Sequence, residues 1–292
     1  MKHRGNGEIN KAANNNKETK KQIEKRRNGM KIGFIGLGNM AGAIIGGLIK
    51  KGEFAAADIC GADVNAAMAA KRKEEFGITI LADNNALVKS ADIVVLAVKP
   101  QFAGDVIAGI KEDADEKLFI SIVAGKTLAW YEEQFGKKVK VVRCMPNTAA
   151  LVSEAMTAVT PADTVSKEET DTALRILESF GKASVVPEHL MDAVVGVSGS
   201  APAYVFMFLE AMADAAVAMG MPRNQAYEFA GQAVLGSAKL MLETGKHPGE
   251  LKDMVCSPAG TTIEAVKVLE EKNFRGAVMD AVIAAAEKSK KL

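Results

Sequence analysis

Cysteine, histidine and long apolar runs are all scarce in this chain of 292 residues. The three cysteines, Cys60, Cys144 and Cys256, are odd in number and far apart, so they define neither a disulfide framework nor a metal site. They read as small thiols in a reducing cytoplasm, which is where the sequence places the protein. His3, His189 and His247 show no ligand spacing, and no metal is expected. No apolar run of 18 or more escapes a charge or a turn cluster, which argues against a membrane span. The most apolar stretch, residues 203–219, is interrupted by Glu210 and Asp214. An apolar signal-peptide core is missing as well, which excludes a secretory leader of the usual kind. Excess charge of one sign is also absent. The net charge is +1, and because residues 1–29 carry a net +6, the remainder is mildly acidic at −5. A nucleic-acid partner needs a basic face on the folded part, so none is expected.

What is present suits a globular chain of two domains: 48% apolar residues, 25% charged, and enough length to bury a sizeable core. Residues 1–29 read as a disordered or weakly helical leader, with Met30 as the functional start. Residues 30–190 read as a dinucleotide-binding domain and residues 191–292 as a helical domain.

The first half opens on KIGFI, an apolar strand, followed by Gly36-Leu37-Gly38-Asn39-Met40-Ala41 and an amphipathic helix. This is the context of the dinucleotide fingerprint. Gly36 makes the tight turn, Gly38 lets a pyrophosphate approach the backbone, and Ala41 keeps the helix close to the strand. Amides at the helix start then face the phosphates. Further buried-strand runs at residues 58–60, 92–98, 118–123 and 139–143 alternate with helical patterns, which implies a parallel sheet covered on both faces, a doubly wound α/β domain. The strand DIVVLAV ends at Lys99-Pro100, so Ala97, Val98 and Lys99 are expected to line the nicotinamide side of the cleft. Asp63, about 22 residues past Ala41, stands at the end of the second strand, where a carboxylate accepts the ribose 2′-hydroxyl of NAD and repels the 2′-phosphate of NADP. It equally fits an N-cap for a helix beginning near Val64.

After Val186-Pro187 the pattern becomes helical. A helix rich in Ala and Met, apolar on most sides, needs cover over nearly its whole circumference, and a second subunit is the expected cover. Between two helical stretches lies SPAGTTIE. Ser257-Pro258-Ala259-Gly260 has the residues of a type I turn, and Thr261 with Glu264 forms the pattern of a capping box before Ile263, Val266 and Leu269. The predicted result is a helix start with free amides beside the hydroxyls of Ser257, Thr261 and Thr262: a small anion-preferring pocket without an ionisable acid or base. A carboxylate pocket together with a nicotinamide cradle suggests hydride transfer.

The motifs GFIGLGNMAGAIIGGLI, LAVKPQ, RCMPNTAALV, GVSGSAPAYVFMFLEAMADAAV and HPGELKDMVCSPAGTTIEAVKVLEEKNFRGAVM resemble those of the pyrroline-5-carboxylate reductases, over residues 30–288. The resemblance implies reduction of L-1-pyrroline-5-carboxylate to L-proline by NADPH or NADH. It implies that Ser257, Gly260, Thr261 and Thr262 hold the substrate, with Thr262 hydrogen-bonded to the ring nitrogen as the catalytic contact. Gly36, Gly38, Asn39, Met40, Asp63, Asn84, Ala97, Val98, Lys99 and Pro100 would hold the cofactor. It also implies interlocked homodimers, in many members assembled into decamers, with one subunit's helical domain over its partner's nucleotide domain.

Two positions depart from the family pattern. The turn reads SPAG where SPGG is common, so Ala259 is expected at negative φ, as the third position of a type I turn allows. Asp63 stands where NADPH-preferring members often have a small hydroxyl residue, which leaves the choice between NADPH and NADH open. Two rival readings are a β-hydroxyacid dehydrogenase and a catalytically silent cofactor-binding regulator. The first depends on a lysine that GVSGSAPAYVFMFLEAM lacks. A six-membered homologue of the substrate differs by one methylene, which is worth only about 1–3 kcal/mol of discrimination.

Overall fold

The computed structural model describes residues 29–291; the predicted leader lies outside them apart from Gly29. The chain divides between Glu188 and His189 into two units.

The first unit alternates strand and helix: β1 (Ile32–Ile35), α1 (Asn39–Lys51), β2 (Ile59–Ala62), α2 (Ala66–Phe76), β3 (Thr79–Ile80), α3 (Asn84–Ser90), β4 (Ile93–Leu96), α4 (Ala103–Ile110), β5 (Leu118–Ser121), α5 (Leu128–Phe135), β6 (Lys140–Met145), β7 (Ala155–Pro161), α6 (Lys167–Leu177) and β8 (Gly181–Val185). The strands form one sheet in the order β3-β2-β1-β4-β5-β6-β7-β8. Pairing is parallel from β3 through β6. The chain lays down β1 to β3 in one direction, returns to the other side of β1 for β4, and so opens a crevice at the carboxyl ends of β1 and β4.

Alternation along the strands splits the core in two. Ile32, Phe34, Ile93, Val95, Leu118 and Ile120 join α1 in one layer, while Ile35, Val94, Leu96 and Phe119 join Tyr131 and Phe135 of α5 in the other. The runs read from the sequence all fall in the parallel part of the sheet, as expected; beyond them β7 pairs antiparallel with β6, and β8 pairs parallel with β7. The observed strands β2 and β4 are also displaced or shortened relative to the apolar runs, to residues 59–62 and 93–96. Between β7 and β8, helix α6 is closed by a capping box in which Ser166 and Glu169 satisfy each other's backbone amides.

The second unit is helical: α7 (Met191–Val194) runs through a π-helical turn (Val195–Gly199) into α8 (Ala201–Ala218), followed by α9 (Arg223–Thr244), α10 (Pro248–Val255), α11 (Thr261–Glu271) and α12 (Phe274–Ser289). Pro202 sits in the first turn of α8, where a missing N–H costs nothing. Among its described residues few side chains are buried within the chain, namely Met191, Ala213, Ala226, Ala230 and Ser289. Phe206, Met207, Phe229, Leu235, Leu242 and Met279 stand exposed. The apolar α8 therefore finds little cover among the described residues of its own unit.

Candidate active site

The two candidate regions lie in different units and are built separately. In the first, β1 delivers the chain to Gly36, whose φ of +90° suits glycine. Its amide donates to the Ala62 carbonyl at 2.9 Å. A Cβ at Gly36 would stand 2.7 Å from the Ala97 carbonyl oxygen and 3.1 Å from Cγ1 of Val98. The turn is thus held between the ends of β2 and β4, with Ala97 and Val98 beside it and Lys99 exposed one residue on. Pro100 begins the short 3-10 turn that Lys99 caps. Leu37 turns its side chain into the core, fully buried.

Gly38 is the N-cap of α1 and contributes no side-chain cap; the first turn of the helix carries no acidic residue. Among the described residues nothing comes within 4 Å of a Cβ built on Gly38. Open space beside uncapped helix amides, those of Asn39 and Met40 among them, is what a pyrophosphate requires, so this cradle fits a dinucleotide. Ala41, 1% exposed, packs the helix onto the sheet as the fingerprint predicts.

Asp63 serves the loop itself. Its Oδ2 accepts the Leu37 amide at 2.7 Å and its Oδ1 the Asn65 amide at 2.8 Å. It is not the helix cap: α2 begins at Ala66, and the Asn65 side chain caps it by accepting from Ala67 and Met68. The alternative of a helix starting near Val64 is thereby corrected, because the carboxylate is drawn toward Leu37 and Val64 is left fully exposed. Asn84 opens α3, half-buried, immediately after the Asp83 cap.

Arg72, to which the sequence pattern gives no part in the turn, reaches it with its guanidinium. Nε donates to the Leu37 carbonyl at 3.1 Å and Nη2 to the Gly38 carbonyl at 3.1 Å. Nη1 pairs with Glu75 at 2.6 Å. The available signal was the helical spacing that puts Arg72 on the buried face of α2 with Ala69.

In the second unit, α10 ends at Val255 and the chain turns through Ser257–Gly260, closed by the Gly260 amide donating to the Ser257 carbonyl at 3.0 Å. Two expectations fail here. Ala259 has φ +56°, so the turn has left-handed backbone at its third position and is not type I; the backbone keeps the conformation that a glycine would adopt without cost. Thr261 does not cap α11 either. The N-cap is Gly260, with no side-chain cap, and Thr261 and Thr262 are the first two helical residues. Because the extended φ and ψ of the cap fall on Gly260, Glu264 is shifted to the fourth helical position and the predicted capping box does not form. The consequence is a barer helix start than predicted, with its amides beside three hydroxyls. Two of the three cysteines, Cys60 and Cys144, are buried, and burial raises both thiol pKa values; Cys256, next to the turn, is half-buried. Among the described residues no group of three or more His, Cys, Asp or Glu gathers as a metal site.

A doubly wound sheet with an uncapped glycine turn at its crevice, followed by a separate helical unit, defines the class of two-domain dinucleotide-binding oxidoreductases. Residues 31–125 match the family NADP oxidoreductase coenzyme F420-dependent, and residues 188–292 match the family Pyrroline-5-carboxylate reductase dimerisation. The pyrroline-5-carboxylate reductase of Escherichia coli (strain K12) is 52% identical over 263 residues, 90% of this chain and 98% of that protein. Among solved structures, a pyrroline-5-carboxylate reductase from Coxiella burnetii has TM-score 0.85 at 36% identity, covering 90% of this chain and 98% of the other. Pyrroline carboxylate reductase from Plasmodium falciparum, with NADP bound, has TM-score 0.82 at 32% identity, covering 90% and 97%. The chain belongs to the pyrroline-5-carboxylate reductase family.

Proposed function

We propose that this protein reduces L-1-pyrroline-5-carboxylate to L-proline, the last step of proline synthesis, using NADPH or NADH. The observation that carries the substrate side is the start of α11, where Gly260 leaves the helix amides uncapped and the hydroxyls of Thr261 and Thr262 are not spent on a cap. Such a terminus favours a carboxylate, and each charge-assisted hydrogen bond to it is worth about 1.5–3 kcal/mol. Ser257, Gly260 and Thr261 bind the substrate carboxylate in this reading, and Thr262 orients the ring by a hydrogen bond to its nitrogen. Residues 257–262 carry no ionisable side chain, which is compatible with the chemistry, because an imine protonated in solution already accepts hydride at carbon. A nicotinamide cofactor held at the glycine turn would supply that hydride. Gly36, Gly38, Asn39 and Met40 receive the pyrophosphate, Asn84, Ala97, Val98, Lys99 and Pro100 contact the remainder of the cofactor, and Asp63 braces the loop while remaining near the ribose.

We assign the oligomer as a homodimer; assembly of such dimers into decamers is what the family resemblance implies. The support is the apolar surface of the second unit: an open groove of about 920 Å³ lined by α8, α11 and α12, including Met207, Phe208, Leu269 and Phe274. The helical run Glu188–Ala218 is long and apolar enough to cross a membrane, 18 successive residues within it having mean hydropathy 1.4. A second copy is the better cover, because Glu210 and Asp214 within this run would be costly in a bilayer. The free thiols are in keeping with the cytoplasm.

The test is the initial rate of NADPH and NADH oxidation by the purified protein on addition of pyrroline-5-carboxylate. Rapid turnover is expected. Cofactor binding without turnover would overturn the assignment in favour of a silent regulator or a different imine.

A further inference from the structure

The glycine turn is held from behind by a residue outside the fingerprint. Arg72 on α2 is 6% exposed, and its guanidinium lies flat against Gly42 of α1: a Cβ built on Gly42 would stand 2.5 Å from Nη2 and 2.7 Å from Nη1. Gly42 therefore works as a slot, and the slot brings the guanidinium to the carbonyls of Leu37 and Gly38. The third interaction, with Glu75, and the Phe76 ring 5.8 Å from the guanidinium carbon fix the remaining directions.

These contacts matter because a peptide unit is planar and trans, so its C=O and N–H point in opposite directions. Holding the Leu37 carbonyl aims the Gly38 amide the other way. Holding the Gly38 carbonyl does the same for the Asn39 amide, at the first helical position of α1. The Gly38 carbonyl accepts twice, from Arg72 and from the Gly42 amide at 3.0 Å, and so ties the turn to the first turn of the helix. A positive charge is also placed behind the helix start, with the same sign as the dipole there.

We propose that Arg72, seated in the Gly42 slot, is a positioning residue that presets the pyrophosphate-binding amides and thereby sets affinity for both nicotinamide cofactors. The inference rests on the reading of this cradle as the cofactor site. We assign Arg72 to positioning rather than to binding the 2′-phosphate of NADPH, because it is buried and three of its five N–H donors are engaged with the turn and Glu75.

The experiment compares the full chain with Arg72→Leu, Arg72→Lys and Gly42→Ala, measuring Kd for NADPH and NADH by titration calorimetry, with melting temperature and the KM for the imine alongside. Gly42→Ala is the control against misfolding, since it replaces a helical glycine by a better helix former and leaves the charge in the chain while evicting it from its slot. Arg72→Leu and Gly42→Ala are each expected to raise both Kd values about tenfold or more, as the loss of one charge-assisted hydrogen bond would. The ratio between the cofactors and the KM for the imine should stay close to wild type. Arg72→Lys should recover part of the loss, because a lysine carries the charge without the rigid fork. Unchanged affinity in Gly42→Ala and Arg72→Leu, or loss of melting temperature alone, would overturn the proposal. Selective loss of NADPH would overturn it too, and make Arg72 a 2′-phosphate ligand. A wild-type chain that binds neither cofactor would overturn the assignment of the cradle, and this inference with it.

Discussion

The carboxylate of Asp63 accepts the Leu37 amide at 2.7 Å, tying the end of β2 to the glycine turn across 26 residues of sequence. Both oxygens are occupied by backbone amides, so the residue is first a strut of the loop. Asp63→Ala is expected to raise the KM of NADPH and NADH together and to lower unfolding stability by about 1–3 kcal/mol, the cost of leaving such donors unpaired. Steady-state kinetics and urea denaturation check this. An improved NADPH reaction at unchanged stability would show that Asp63 acts mainly on the ribose.

Ala259→Gly is expected to stabilise the protein. Left-handed backbone costs a residue with a Cβ about 1–2 kcal/mol, and glycine escapes the cost while losing more chain entropy, which leaves a gain of about 1 kcal/mol. A higher urea midpoint at fixed protein concentration, with an unchanged slope, is the expected readout. Ala259→Val should shift it in the opposite direction.

How far these features were legible in the sequence depended on the reach of the interaction that decides each one. The β1 strand, its glycine turn and α1 were readable because an apolar strand, two glycines and an amphipathic helix follow within 20 residues, and each constrains the next. β3, only two residues long, and β8, GKASV, carry too little alternation to be seen; their pairing partners fix them. The reversal at β7 is a tertiary choice that local pattern does not encode. At the turn before α11 the break between two helices was legible but its backbone was not: the capping-box pattern at Thr261 and Glu264 competes with the cap falling on Gly260, and the latter prevails. Arg72 was missed because its partners are carbonyls 34 and 35 residues away.

Thr262→Ala should lower kcat on the imine by about a hundredfold, the loss typical of one donor aimed at the reacting group. NADPH affinity should be nearly unchanged. Equal losses in both would assign the threonine a structural role.

The groove of α8, α11 and α12 should not survive a buried charge. Leu269→Glu is expected to convert the oligomer to smaller species in sedimentation velocity, and to make the melting temperature fall on dilution, since assembly contributes to stability by mass action. The same sedimentation profile as wild type would exclude this groove from the interface.

Burial pushes the Tyr131 hydroxyl up to about 12, against the smaller opposing effect of its hydrogen bond with Ser121 at 2.5 Å. The folded value lies above the unfolded one, so stability is intact below pH 10 and is lost as pH rises toward the folded value, by about 1.4 kcal/mol per pH unit. Tyr131→Phe should be less stable at neutral pH but should lack this component of the alkaline decline. Denaturation curves between pH 9 and pH 12, taken as differences from wild type, test the sign.

Helices α2, α3, α5 and α6 are closed at their starts by their own side chains, those of Asn65, Asp83, Thr127 and Ser166. Helices α1 and α11 begin instead at Gly38 and Gly260, which supply none. If the pyrophosphate and the carboxylate settle there, the reactants complete the secondary structure of the protein that binds them. Hydrogen exchange at the opening turns of these two helices should then slow in separate steps, α1 with the cofactor and α11 with the imine. Each ligand would be visible as the moment when a helix acquires its missing end.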